Sequence, residues 1–275
     1  MTEGYAVSQA CKSIGLARSS YYYKAQPKSK QVDRAVIEVA QKHITYGTRR
    51  LTQQLRRWEP AIHVNRKRVQ RIAREYHLLR PLKRRWKRTT LSNHDHPVYP
   101  NLVQDLVPAY PDHVWVADIT YIRFRQGFIH LAVVMDVYTR MVRGWYLHHL
   151  LDQRLSLIAL QSALGSGTPA IHHSDRGIHY TARAYVGLLK QCDVRISMSA
   201  KGRPEDNGYA ERIMRTIKDE EVDLSEYDSF EDARRQIDLY LGTNYNYQRI
   251  HSALGYRTPA EFQDAYYAQA PLHKP

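Results

Sequence analysis

Between positions 31 and 79 the apolar residues recur at helical spacing. Val32, Ala35, Val36, Val39 and Ala40 form one stripe, and Leu51, Leu55 and Trp58 a second. Val69, Ile72, Ala73 and Tyr76 form a third. These stripes predict helices over 31–44 and 48–58, and another within HVNRKRVQRIAREYHLL (63–79). Upstream, residues 6–23 read as two short helices around a turn at Gly15, the second capped by Ser19 or Ser20. KAQPKSK (24–30) reads as a linker. Beyond residue 112 the pattern changes. HVWVADITYIRF (113–124), FIHLAVVMDVYT (128–139) and MVRGWYL (141–147) are rich in β-branched and aromatic residues and separated by short turns. They predict an antiparallel meander of three strands. Next come an amphipathic helix near 152–164, a strand PAIHHSD (169–175), a helix starting near Thr181, and a strand VRISMS (194–199). Two more helices are expected, from about Asp206 to Asp219 and from about 229 to 241. A meander followed by alternating helix and strand predicts an α/β fold, a mixed sheet with helices on its faces. An all-α unit precedes it.

Charge sharpens this division. Residues 1–100 hold 22 Lys and Arg against 6 Asp and Glu, a net of +16, whereas residues 101–275 hold 19 against 21. A basic module joined to a near-neutral remainder points to nucleic acid. In the third helix Lys67, Arg71 and Arg74 share a face that the apolar stripe does not use, and base continues in PLKRRWKR (81–88). That face is the candidate DNA contact. The prolines at 97, 100, 108 and 111 mark a linker. The expected organisation is a helix-turn-helix-like segment over 1–30, a basic helical DNA-binding domain over 31–88, a linker over 89–111, and a catalytic core with a C-terminal element over 112–275. No stretch approaches the roughly 20 apolar residues of a membrane span, and no signal-peptide pattern opens the chain. Cys11 and Cys192 make no zinc or disulfide spacing.

Three carboxylates carry the candidate chemistry. Asp118 sits mid-strand among Val116, Ala117 and Ile119, where an ionised group is costly unless paired or bound to a cation. Asp175 follows the strand PAIHH, and Glu211 lies on DNGYAERIMRTIKDE. On that helix Ala210, Ile213, Met214 and Ile217 form the buried side, while Asn207, Glu211 and Lys218 share a neighbouring stripe. Carboxylates from a strand centre, a strand end and a helix suit hard divalent cations, which promote phosphodiester chemistry without a protein nucleophile.

The ordered pattern WVADITYI, HHSDRGIHY, SMSAKGRPEDNGYAERIMRTIKDE and YNYQRIHSALGYRTPAEF resembles the insertion-sequence-three family of bacterial transposases. The likeness is to the second reading-frame product, with its retroviral-integrase-like core. Thirty-five residues separate Asp175 from Glu211, the family's interval. The resemblance implies a ribonuclease-H-like core. It implies an Asp118, Asp175 and Glu211 triad binding two Mg²⁺ or Mn²⁺ ions, and Lys218 as a DNA contact. Ser174 and Asn207 fall on motif positions that shape the site. It further implies cleavage and strand transfer at insertion-sequence ends, and a bacterial, cytoplasmic, nucleoid-associated protein. The implied partners are terminal inverted repeats, target DNA and a first reading-frame product joined by frameshift fusion, in an oligomer on DNA. Gly208 departs from the alanine usual in relatives.

Other readings stand beside these. The chain could be a catalytically inactive DNA-binding regulator or a decayed copy, or a plain ribonuclease-H-class nuclease. Asp118 could be satisfied by backbone amides. His172 and His173 could join Asp175 around zinc, but no third nitrogen or sulfur ligand has suitable spacing, so ordinary strand-end histidines are preferred. Trp115 could stack on a base or fill the core. His251 could touch DNA, transfer a proton or pack. No tyrosine stands out as a recombinase nucleophile among the 21.

Overall fold

A computed structural model describes residues 6–24, 30–79, 98–200 and 203–269. The basic run 81–88, the first part of the expected linker and most of KAQPKSK lie outside these residues. Helices α1 (Val7–Ser13) and α2 (Arg18–Tyr21) flank a left-handed Gly15 at φ +66°. Ala17, with no side-chain capping bond, precedes α2, and Ser19 and Ser20 fall inside it. The expected serine cap is therefore corrected: the helix starts two or three residues earlier than the serines suggested.

The three stripes fold as α3 (Lys30–Lys42), α4 (Thr48–Arg56) and α5 (Arg66–Glu75) around one apolar core. Val36, Val39, Leu51, Leu55 and Val69 are fully buried there. Asn65 caps α5 by accepting the Lys67 N–H at 2.8 Å. Tyr76 departs from expectation. It follows the last helical residue and is 48% exposed, because the chain turns away before it can continue the stripe.

The sheet has five strands in the order β3-β2-β1-β4-β5. They are β1 (Val114–Phe124), β2 (Gly127–Asp136), β3 (Val142–His148), β4 (Ile171–Ser174) and β5 (Arg195–Met198). The meander is antiparallel, while β4 and β5 run parallel to β1. Alternation along β1 sorts the core into two layers. Val114, Val116 and Ile122 face a cluster with Ala210, Ile213, Met214 and Ile217 of α9 (Gly208–Glu220) and with α10 (Phe230–Asp238). Trp115 and Ala117 face α6 (Gln153–Leu164) and α8 (Arg183–Gln191). Trp115 is fully buried, and its indole N–H donates to Asp112 Oδ1 at 2.7 Å, so its role is structural.

Three boundaries move. A short helix α7 (Ile178–Thr181) precedes α8, with the break at Ala182, so helix begins before Thr181. A 3-10 turn over Pro204–Asn207 leads into α9. Beyond Asp238 the chain continues as wide π-helical turns over Leu239–Gln248, followed by α11 (Pro259–Gln269). The described part of the linker, 98–111, has no helix or strand, yet it straps the core. Val103 and Leu106 pack on one cluster and Tyr99 on the other, and Leu102 N–H donates to Ser197 Oγ at 2.8 Å. No helix among the described residues is long and apolar enough to cross a membrane.

Close approach of α6 to β3 depends on Gly144. A Cβ there would stand 2.5 Å from both the Ala159 carbonyl oxygen and the Ala163 nitrogen, which are backbone atoms with little room to give. Gly144→Ala is expected to cost about 3 kcal/mol, the upper part of the range for overpacking. A drop in the urea midpoint of the core transition reads this out. An unchanged midpoint would mean that α6 shifts freely.

Candidate active site

The sheet brings the first two carboxylates together. Val114 pairs with Ile171, Trp115 with His172 and Val116 with His173. The pairing ends there, and beyond it the carboxylates of Asp118 and Asp175 both lie within electrostatic reach of the Tyr180 hydroxyl. Because β4 ends at Ser174, β1 has lost its parallel neighbour by the time it reaches Asp118. The mid-strand aspartate therefore stands at an opening, and is half-buried rather than sealed in the core. One oxygen of each carboxylate has a local backbone donor. Ile119 N–H reaches Asp118 Oδ1 at 2.8 Å, and Gly177 N–H reaches Asp175 Oδ1 at 2.9 Å. Gly177 matters through its missing side chain, since a Cβ would stand 2.9 Å from that same oxygen.

Helix α9 carries the third, which the structure does not close onto the other two. Its apolar residues settle on β1, and the Asn207 side-chain amide just before it donates to the Ala117 carbonyl at 3.3 Å, next door to Asp118. Glu211 follows in the first turn of α9, exposed to solvent. Among the described residues, no three His, Cys, Asp or Glu side chains close into a metal-holding group. Like charges without a cation between them repel. Two turns further along, Lys218 Nζ lies 4.4 Å from the centroid of the Tyr121 ring on β1.

Two features of this neighbourhood escaped the sequence reading. The Tyr180 hydroxyl, from the same HHSDRGIHY stretch, is fully buried with no hydrogen-bond partner. Burial, chiefly, and the charges of Asp118 and Asp175 raise its pKa well above the usual phenol value. It is therefore a neutral hydroxyl close to both carboxylates. The Asn207 side-chain oxygen is likewise buried without a partner. In the sequence Tyr180 was one of many tyrosines, and only tertiary packing distinguishes it.

The histidines turn out to be structural. His172 Nε2 lies 2.9 Å from the Tyr185 hydroxyl, and His173 holds Ser197 Oγ at 2.8 Å and Ser199 Oγ at 3.1 Å through its two ring nitrogens. Burial lowers their pKa values to about 3 and about 4. Both nitrogens of His173 are already engaged, which sets the zinc reading aside. His251 is half-buried, stacks edge-on against Tyr245 and sits beside Arg249. Burial, and then the nearby Arg249, Arg50 and Arg140 charges, depress its pKa to about 2, so it takes up no proton near neutrality. Ser174 is buried, and its hydroxyl donates to the Asp175 carbonyl oxygen at 2.9 Å.

The candidate DNA contacts lie elsewhere. Lys67, Arg71 and Arg74 are all exposed along α5, on the side away from buried Val69, Ile72 and Ala73.

Comparison with known proteins gives the family. Two integrase core domain models match, over residues 108–204 and 192–259, and an HTH-like domain model matches 28–86. A 31 kDa protein of insertion element IS600 from Shigella sonnei is 37% identical over 94% of this chain and 99% of its own length. The InsF transposase of insertion sequence IS3A from Escherichia coli K12 is 31% identical over 94% of each chain. The transposase of IS629 from Shigella sonnei is 30% identical over 98% of this chain and 95% of its own. Among solved structures, the magnesium-bound catalytic core of HTLV-2 integrase covers 56% of this chain and 97% of its own at 16% identity, with a TM-score of 0.46.

The buried histidines predict an acid limb of stability. In the unfolded chain His172 and His251 titrate near 6.5, but in the fold only near 3 and 2. The unfolded state therefore binds more protons below pH 6.5, and stability falls steadily as the pH drops towards 3. Urea midpoints measured from pH 8 to 4 are expected to be flat above about 7 and to decline from about 6. A midpoint level down to pH 4 would show that these rings titrate freely in the fold.

Proposed function

The chain belongs to the insertion-sequence-three family of bacterial transposases, polynucleotidyl transferases of DNA transposition, and on that premise we propose that Asp118, Asp175 and Glu211 are its catalytic triad. The observation that supports the reading is that Asp118, on β1, and Asp175, just past the end of the parallel strand β4, both act on the buried Tyr180 hydroxyl. The donors fit Mg²⁺ or Mn²⁺, since all are hard oxygens and the buried Asn207 oxygen has no partner of its own. Two such ions, when bound, supply Lewis acidity at the attacking and leaving oxygens of a phosphodiester.

The chain's own groups position the reaction. Asp118 and Asp175 each accept one backbone N–H, from Ile119 and Gly177, which steadies their carboxylates. Glu211, exposed on the first turn of α9, would supply the third carboxylate oxygen ligand. Tyr180, held neutral, adds an O–H donor beside the carboxylates. No protein nucleophile is needed. A water oxygen attacks the phosphorus in cleavage and the strand on the other side leaves as a 3′-OH. That 3′-OH then attacks a second phosphodiester in joining, and another 3′-oxygen leaves.

DNA is held by the exposed Lys67, Arg71 and Arg74 of α5, with Lys218 nearer the site. Phosphate contacts of this kind weaken steeply with salt. The functional division we adopt is 1–30, 31–88, 89–111 and 112–275. Its working form is an oligomer on terminal repeats, fused by frameshift to a first reading-frame product.

Asp118→Asn and Glu211→Gln are each expected to lower Mg²⁺-dependent cleavage and joining by at least about 100-fold, beyond what outer-shell changes cost. DNA affinity should be retained. Labelled element ends incubated with Mg²⁺, Mn²⁺ or EDTA, with the chain alone and as the reconstructed fusion, provide the assay. Activity surviving both substitutions would contradict the triad. DNA binding with no cleavage by either wild-type form would favour a regulator or decayed copy.

A further inference from the structure

A cavity of about 1060 Å³ runs between the N-terminal helices and the core, and arginines from four separate segments reach its wall. Arg49 comes from α4, Arg66 from the start of α5, Arg140 from the turn between β2 and β3, and Arg212 from α9. Two further arginines, Arg50 and Arg249, also line it, but they are committed to Glu220. Arg49, Arg66 and Arg212 are exposed and make no salt bridge with another described residue. Arg140 lies 4.2 Å from the centroid of the Tyr209 ring, whose own surface is 45% exposed.

We propose that this cleft binds a short unpaired stretch of DNA by its phosphodiester backbone, a contact separate from the α5 face. The proposal rests on the transposase reading above. Four features support it. The floor includes apolar Val116 and Ile213, and charges around a concave, low-dielectric wall focus their field on whatever enters. Against these four arginines the described wall sets Glu205 and Asp206, and Asp206 accepts the Ala200 N–H at 2.8 Å. The volume is at the top of the roughly 300–1,000 Å³ range of small-ligand pockets, which leaves room for a few nucleotides but not a duplex. Tyr209 on the wall, 45% exposed with Arg140 over its ring, is an aromatic partner for a base. Glu205, Asp206 and His173 lie on the same wall, so the cleft reaches the region of Asp175 and the start of α9.

The cleft needs both parts of the chain. Arg49 and Arg66 belong to the helical unit, and Arg140 and Arg212 to the core. A strand lying between them would contact both units at once.

Binding of labelled hairpin DNA with and without a four-nucleotide single-stranded overhang, in EDTA and over a range of salt, tests this on the full chain. Wild type should bind the overhang form more tightly, by about tenfold. The double variant Arg66→Ala, Arg212→Ala should lose that increment, and its salt slope on the overhang form should flatten by about 1.4, or about 0.7 per single-strand phosphate contact. Both residues are exposed and outside any salt bridge, so an unchanged urea midpoint is expected. Arg49→Gln with Arg140→Gln provides an independent pair. A triple variant of Lys67, Arg71 and Arg74 to Ala should weaken both DNAs alike. An overhang increment that persists in both arginine pairs, or is absent in wild type, overturns the cleft while leaving the transposase reading intact. A wild-type chain that binds neither DNA overturns both.

Discussion

The placement of α9 across β1 is the constraint on which the rest depends. Ala210, Ile213, Met214 and Ile217 bury themselves against Val114, Val116 and Ile122, and this apolar contact fixes the height and angle of the helix. Burial at about 25 cal/mol per Å² of apolar surface makes such a contact worth several kcal/mol, far more than any single polar contact at the site. Glu211 rides on that placement. Its carboxylate is one residue around from Ala210, so packing that seats the alanine also aims the acid. Asn207 locks the near end of the helix to β1 through Ala117.

The far end of the same helix ties the two parts of the chain together. Glu220 accepts two hydrogen bonds from Arg249, at 2.6 and 2.8 Å, and one from Arg50 of α4 at 3.0 Å. Burial alone would push the Glu220 pKa up, but the two guanidiniums outweigh it and hold the group ionised. Around this cluster Tyr46 OH accepts the Ile250 N–H at 3.0 Å, and Ile250 inserts into the core of the helical unit. Arg57 adds contacts to Glu261 and to the Tyr256 carbonyl. One helix therefore carries the proposed third carboxylate at its start and the joint to the N-terminal helices at its end. Rotating the helical unit would strain the helix that bears Glu211.

Much of this was legible in the sequence because the governing signals are local. The period-two alternation of 113–147 and the helical stripes of 31–79 translate directly into elements. The parallel pairing of β4 with β1, which brings the strand that carries Asp118 next to the strand that leads to Asp175, is stated by no local pattern, and only the family likeness pointed to it. What was missed depends on contacts distant in sequence or on unusual backbone. The π-helical turns over Leu239–Gln248 have no clear apolar period. The Glu220 cluster joins residues 50, 220 and 249, and the arginine cleft gathers side chains from four segments. Tyr76 failed because periodicity does not see the residue at which a helix stops. The serines at 19 and 20 were misplaced because any Ser before an apolar run resembles a cap.

The central claim is that three carboxylates far apart in sequence hold the same cations. Fe²⁺ substituting for Mg²⁺, with ascorbate and peroxide, generates radicals that cut the polypeptide beside the metal. Mapping the cuts on the full chain tests the claim without requiring turnover. The account predicts cleavage clustered near Asp118, Asp175 and Glu211 together, suppressed by excess Mg²⁺ and lost in Asp118→Asn. Cuts confined to other segments, or no metal-dependent cuts at all, would contradict it.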